Sequence, residues 1–173
     1  NNWPSDKPIL FRLSCIDRFE GGLEVEDTIE LAKELKKRGI DAIDCSSGGI
    51  KGPNSLFSLA TKSPPTPGYQ VPLSEAVRHG AEIPTMAVGM IMDPPHAEQI
   101  ISDGQADLIA LGREALFNPH WALHAARLLN EGQTFDDWPP NMGWWLEVRQ
   151  RMLSSTDPKD WRIGPAAANA PSR

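Results

Sequence analysis

The sequence predicts an α/β fold in which four successive β-α units build a parallel sheet. Two observations carry the prediction. Four short apolar runs, Ile9 to Leu13, Ile40 to Cys45, Thr85 to Val88 and Ala106 to Leu111, recur along the chain. Each is too short for a helix and apolar on both faces, as strands are when helices cover a parallel sheet. Longer amphipathic stretches fill the intervals, and this alternation is the signature of a parallel α/β sheet.

The first interval holds the clearest helix, Glu24 to Arg38, with Val25, Ile29, Ala32 and Leu35 along one face and Glu34 four residues before Arg38. Gly39 follows as a C′ residue, where positive φ costs glycine little, and the second strand begins at once. A shorter helix is expected over Leu73 to His79, a third from Pro95 to Asp103 ending at Gly104, and a fourth from Pro119 to Leu129 ending near Gly132. Pro95 and Pro119 suit first-turn positions where the missing N–H is harmless, with Asp93 and Asn118 as candidate caps. From Gly48 to Val71 the pattern lapses into a Gly, Pro and Ser-rich loop, a length that is often functional in a compact α/β chain. It follows the C-terminal end of the second strand, where α/β folds bind ligands. After Gly132 the alternation stops. Trp144 to Met152 reads as a short helix and Ala166 to Arg173 as a frayed tail.

The 173 residues carry 17 Lys and Arg against 23 Asp and Glu, a formal charge of -6, and 40% are apolar. That supports one medium domain with a core and is too short for two comfortable ones. The negative field disfavours broad affinity for nucleic acid or an anionic membrane surface. No stretch approaches the roughly 20 apolar residues of a membrane span. Two cysteines, Cys15 and Cys45, allow at most one disulfide and form no CxxC, so a reduced, cytoplasmic setting is the simpler expectation. The chain starts Asn1-Asn2-Trp3-Pro4 rather than with a methionine or a basic-apolar targeting pattern, and is expected to be the interior of a longer protein.

Four positions mark candidate chemistry. Arg12 interrupts an apolar strand. Its guanidinium either pairs with Asp17 or Asp44, or faces a cofactor and supplies fixed positive charge where negative charge develops. Asp44-Cys45-Ser46-Ser47-Gly48-Gly49 ends the second strand with small residues that let a planar ligand or a phosphate approach, with serine hydroxyls able to donate; a plain tight turn is the other reading. Cys45 has no histidine near its strand mouth and reads as a buried thiol. Gly89 and Met90 end the third strand, and Gly112 and Arg113 the fourth. Glycines at two successive strand ends, with an arginine beside one of them, point to a phosphate; a strand-end rim packed by salt bridges is the alternative. In β/α barrels a cofactor phosphate commonly sits at the ends of the last two strands.

Other chemistries find no support. His79, His96, His120 and His124 lie in or near predicted helices without an HExxH pattern, so no metal site is expected. There is no GxSxG elbow, no GxGxxG and no GxxxxGK[ST] loop.

Through Phe11-Arg12-Leu13-Ser14, Asp41 to Gly49, Pro67-Gly68-Tyr69-Gln70, Ala87-Val88-Gly89 and Ala106 to Arg113, the chain resembles the C-terminal half of Old Yellow Enzyme family members, flavin-dependent ene-reductases or NAD(P)H dehydrogenases on a (β/α)8 TIM barrel. The likeness is strongest to the class that includes xenobiotic reductases and covers Pro8 to about Leu129. It implies that the four units are barrel strands five to eight. Residues 1–132 would then be the C-terminal half of a flavin-binding barrel, and 133–173 a Trp-rich extension packing on the barrel or on a partner subunit. It further implies non-covalent FMN with Arg12 beside the pyrimidine edge of the flavin and catalytic there, Ser47, Gly48 and Gly49 approaching the ring, Gly89 and Met90 bordering it, and Gly112 with Arg113 holding the phosphate. NAD(P)H would be the reductant and an activated alkene or related electrophile the substrate. The histidine pair, or histidine and asparagine, and the tyrosine that such enzymes use lie upstream of strand five and outside this chain.

Four parallel strands cannot close a barrel, and they leave two unpaired edges and an open inner face. The expected partners are therefore the N-terminal half of the barrel, on the same or a companion chain, and a second copy in a homo-oligomer. Two readings compete with the flavoenzyme. Another phosphate-binding barrel such as an aldolase would need a lysine or glutamate at a strand mouth, where this chain has Arg12 and small residues. A flavin-free half-barrel scaffold or binding module would be colourless and self-complementing.

Overall fold

The computed structural model describes residues 3–18, 20–48, 65–129 and 134–157. In chain order the elements are β1 (Leu10–Ser14), α1 (Val25–Lys37), β2 (Ala42–Ser46), α2 (Val71–Ala81), β3 (Thr85–Ala87), α3 (Pro94–Ser102), β4 (Leu108–Ile109), α4 (Arg113–Phe117), α5 (Trp121–Leu129) and α6 (Pro140–Ser154). The strands form one sheet in the order β1-β2-β3-β4, and every pairing is parallel. Four consecutive parallel β-α units in sequential order are half of a (β/α)8 TIM barrel. Among the described residues no helix is long and apolar enough to cross a membrane. The chain divides into two compact units, residues 1–121 and 122–173.

The strand register sorts the first unit into two faces. Arg12 lies level with Asp44, Asp44 with Met86, and Met86 with Leu108. Side chains alternate along a strand, so these four share a face with Leu10 and Ser46. The opposite face carries Leu13, Ile43, Cys45 and Ala87, and it is the one the helices cover. Leu13, Cys15, Ile43 and Cys45 pack with Ala32 of α1 and Val77 and Ala81 of α2. Ala87 packs with Ile91, Ala97, Ile100 and Ala106. The first face stays open, with Leu10 48% and Leu108 46% exposed. In a closed (β/α)8 barrel the face opposite the helices is the inner one.

Each helix is positioned by local chemistry. A capping box starts α1: the Glu24 side chain takes the N–H of Asp27, and Asp27 Oδ2 accepts from Glu24 N at 3.1 Å. Lys36 and Lys37 stand in its last turn, where cations favour the helix dipole, and Gly39 follows at φ +89°. Thr28 is fully buried and its hydroxyl donates to Cys15 O at 3.0 Å, pinning α1 to the end of β1. Gly80 of α2 lies so close to Ile29 that a Cβ there would stand 2.8 Å from the isoleucine side chain, so the missing methyl sets the α1 to α2 distance. Asp107 joins α2 to the sheet. It takes two bonds from Arg78, both at 3.0 Å, and a third from Thr85 N at 2.9 Å.

Several boundaries differ from the sequence reading. The second helix runs from Val71 rather than Leu73, because Pro72 fits its first turn and Val71 is buried. Arg113–Phe117 forms a five-residue helix the periodicity does not announce, and the next helix begins at Trp121 rather than Pro119. The last helix extends to Pro140–Ser154 around the expected core of Trp144 to Met152. Most of the long loop after β2, Gly132 and the tail from Ala166 lie outside the described residues.

The second unit has its own small core. Phe135 and Trp138 are buried, Trp138 meets Phe135 and His124 edge to face, and Arg127 lies 4.4 Å over the Phe135 ring. Gly143 of α6 sits where a Cβ would stand 2.8 Å from Phe135 O. Trp144 and Trp145 are exposed and touch each other edge to face.

Candidate functional site

Because all four strands are parallel, their C-terminal ends lie along one edge of the sheet. That edge gathers most of the residues singled out in the sequence, Ser47 and Gly48 after β2, Gly89 and Met90 after β3, and Gly112 with Arg113 after β4, while Arg12 stands midway along β1 and reaches toward it through Ser46. Gly49 lies outside the described residues. A recess of about 650 Å³ lined by Trp3, Ile9, Arg38 and Asp41 lies at the N-terminal end of β1, away from this edge.

Arg12 resolves the choice of ion-pair partner. Its Nη1 donates to Asp44 Oδ2 at 3.0 Å and its Nη2 to Ser46 Oγ at 3.1 Å. Asp17 is engaged otherwise, its Oδ2 accepting from Leu23 N at 2.9 Å. The Arg12 side chain is nonetheless 59% exposed, so its guanidinium is aimed across the open face toward the strand ends while one edge stays accessible. Asp44 is nearly enclosed. Burial raises its carboxyl above the ordinary carboxylate range, and Arg12 offsets this only in part. Its Oδ1 is buried without a hydrogen-bond partner among the described residues.

Ser47 is buried and committed. Its N–H and its hydroxyl, the latter at 2.8 Å, both donate to Gln70 Oε1, while Ser47 Oγ accepts from Arg18 Nη2 at 3.5 Å. Gln70 is 2% exposed, and its Nε2 donates to Val88 O at 3.1 Å, the carbonyl that precedes Gly89. One carboxamide thus joins the mouths of β2 and β3. Sequence reasoning did not place Gln70 at the site; the available signal was its position at the end of Pro67-Gly68-Tyr69-Gln70, a polar residue closing a turn beside two strand ends.

Gly89 adopts φ +127°, a conformation that side-chain-bearing residues avoid. A Cβ there would stand 3.0 Å from Gln70 Nε2 and 3.1 Å from Tyr69 Cε1. The turn before α2 closes on this glycine, with Gly68 N donating to Gly89 O at 2.8 Å. Met90 is half-buried at φ +54°. Gly112 faces open space, with no atom within 4 Å of an added Cβ, and Arg113 beside it is exposed. The third strand end is therefore tightly packed behind its glycine, whereas the fourth offers bare backbone and a solvent-facing guanidinium.

Both cysteines are fully buried free thiols on the helix-covered face. The adjacent Cys15 and burial push the Cys45 thiol up, so it stays protonated and inert. Among the described residues no group of three His, Cys, Asp or Glu is placed to hold a metal ion. His96 instead packs on the turn at Gly68.

Chemically, this side of the sheet combines a cation on β1 paired with the Asp44 carboxyl, a second cation after β4 and small residues at the strand ends between them. Such a donor set can contact an anionic group such as a phosphate.

The profile of the NADH:flavin oxidoreductase / NADH oxidase family matches residues 3–131. An NADPH dehydrogenase from Halalkalibacterium halodurans is 48% identical over 121 residues, 70% of this chain and 33% of the relative. One from Listeria innocua is 43% identical over 126 residues, covering 73% of this chain and 35% of the relative. Another, from Clostridium acetobutylicum, is 42% identical over 134 residues, covering 74% and 35%. The chain spans about a third of the length of these curated relatives.

Proposed function

The chain belongs to the NADH:flavin oxidoreductase / NADH oxidase family, and from that premise we propose that it supplies strands five to eight of an FMN-dependent oxidoreductase. The reductant is NAD(P)H, with NADPH favoured by the name its relatives carry. The substrate is an activated alkene or a similar electrophile. Bound FMN would supply hydride-transfer chemistry between the nicotinamide and the electrophile.

This chain's residues would do the following. Arg12 holds positive charge beside the pyrimidine edge of the ring, where a preorganised cation stabilises the negative charge that reduction brings. Ser46 and Asp44 fix its direction through the two bonds already described. Ser47 and Gly48 present a small surface to the ring, and Gly89 and Met90 border it. Arg113 and the bare backbone of Gly112 bind the phosphate. The proton donor and the groups that polarise the substrate come from strands one to four, on the same or a companion polypeptide.

The observation that carries this reading is a half-exposed arginine on β1 bonded to Ser46 at the end of β2, with serine and glycine strand ends beside it and a second, exposed arginine after β4. Its test is an absorbance scan of the purified complete barrel. Bands at about 370 and about 450 nm that bleach anaerobically with NADPH are expected of a flavoprotein with this activity. A folded, colourless protein that does not take up added FMN would refute it and leave a scaffold as the better description.

A further inference from the structure

We infer that Gln70 is a positioning residue of this site, a buried amide clip that fixes the β2 mouth against the β3 mouth at the spacing the flavin requires; the inference rests on the flavin reading above. Three features lead to it. Gln70 stands at the N-cap of α2 yet makes no side-chain cap bond, so its carboxamide serves something other than the helix. Its carbonyl accepts twice from Ser47 and its amide donates to Val88 O, so both ends of the group are satisfied, each by a different strand mouth. Its Nε2 also fills the space that a side chain at position 89 would take. Glutamine supplies an acceptor and a donor from one rigid planar group. Leucine of similar size supplies neither.

Two consequences follow for the cofactor. Ser47 directs its N–H and hydroxyl hydrogens away to Gln70, so it meets the ring by shape and not as a donor. Val88 O, the last carbonyl before Gly89, is held in place, and with it the backbone that turns at φ +127°. Losing the clip frees two neighbouring strand ends and leaves a buried N–H and a part-buried C=O unpaired, a change that acts on a ligand bridging both mouths.

The test measures FMN affinity of the complete barrel by quenching of flavin fluorescence, from about pH 5 to about pH 9, for wild type, Gln70→Leu and Gln70→Glu. The leucine variant is expected to bind about tenfold or more weakly at every pH, the effect of losing one or more buried hydrogen bonds. The glutamate variant separates positioning from general loss of structure. Protonated, its carboxyl donates to Val88 O and accepts from Ser47, as the amide does. Ionised, it faces the Val88 carbonyl oxygen with a negative charge. Its dissociation constant relative to wild type should therefore lie near one where the carboxyl is protonated and rise about tenfold as it ionises. Variants that bind FMN with wild-type constants throughout, or a glutamate penalty that does not change with pH, overturn the role of Gln70. If the leucine variant does not fold, the glutamate variant decides alone, since its acid form keeps every bond. Wild type that binds no FMN overturns the flavin reading itself and this inference with it, whereas tight wild-type binding with indifferent variants removes only the clip.

Discussion

Replacing Gly89 by alanine tests whether the third strand mouth is as constrained as its geometry implies. At φ +127° a residue with a Cβ carries strain of about 1–3 kcal/mol. The new methyl would also stand 3.0 Å from Gln70 Nε2 and 3.1 Å from Tyr69 Cε1, both inside ordinary van der Waals contact. Gln70 cannot swing aside freely, because doing so breaks its bonds to Ser47 and Val88, each worth about 1 kcal/mol. Strain and the two bonds together make a loss of about 3–5 kcal/mol. Gly112→Ala is the internal control: the same chemical change, with nothing within 4 Å of the added atom, costs less than about 1 kcal/mol. Urea denaturation of the FMN-free protein reads both. Equal costs for the two variants, or a Gly89→Ala cost below about 1 kcal/mol, would refute the reasoning, because only the position-specific contacts and φ separate them.

Other expected outcomes follow from single contacts. Arg113→Ala lowers FMN affinity by about 1.5–3 kcal/mol, the worth of a charge-assisted bond to phosphate; equilibrium dialysis that finds unchanged affinity rejects the contact. Asp44→Asn abolishes a pH dependence of this chain's stability. Burial holds the folded pKa above the unfolded one, so the Asp44 contribution is fully present below the unfolded value of about 3.9 and is lost as pH rises through the folded pKa. The melting temperature of the variant relative to wild type rises from acid to neutral pH, and a difference that does not change with pH contradicts the burial argument. Asp107 behaves in the opposite sense. The bonds from Arg78, then the Thr85 N–H, lower its pKa despite partial burial, so its stabilisation holds above about pH 3.9 and disappears as pH falls through the folded value. With both side chains about one third exposed, a double-mutant cycle of Arg78→Ala and Asp107→Ala should return a small favourable coupling, and additive effects would deny the pair.

The fold was legible where local pattern and tertiary role coincide. Ile29, Ala32 and Leu35 repeat at helical spacing because α1 has one buried face, and Ile43 and Cys45 are apolar because helices cover that side of β2. Arg12 and Arg113 stood out because charge at a strand mouth breaks an otherwise apolar pattern. The misses have a different origin. Five residues give no helical period, so Arg113–Phe117 left no trace in the sequence. Pro119 looked like a first-turn proline, yet the chain makes a turn there, with Trp121 N bonding Asn118 O, before the next helix starts. Gln70 was hidden for a stronger reason. Its partners, Ser47 and Val88, lie 23 and 18 residues away, and only the parallel register brings the two strand mouths to one amide. The choice between Asp17 and Asp44 for Arg12 was likewise a matter of register, settled by the pairing of Arg12 with Asp44 across β1 and β2.

The open face of the sheet states what any layer covering it has to provide. Leu10 on the first strand and Leu108 on the fourth are each about half exposed, so the cover needs apolar surface at both margins to recover the hydrophobic stabilisation those side chains forgo. Between them lie Arg12 and Asp44, an ion pair with one buried oxygen unpartnered. An apolar cover alone would desolvate that pair further and push the Asp44 carboxyl still higher, which weakens its hold on Arg12. A cover that brings one hydrogen-bond donor to Asp44 Oδ1 reverses the effect: it keeps the carboxylate ionised, and the ionised carboxylate keeps the guanidinium aimed at the strand ends. In the proposed function that cover is strands one to four. Closing the barrel and orienting Arg12 toward the flavin are then one event, and the pKa of Asp44 is the observable that reports it. It should fall when the other half is present and remain raised when it is not, whereas a value indifferent to the other half would separate barrel closure from the site.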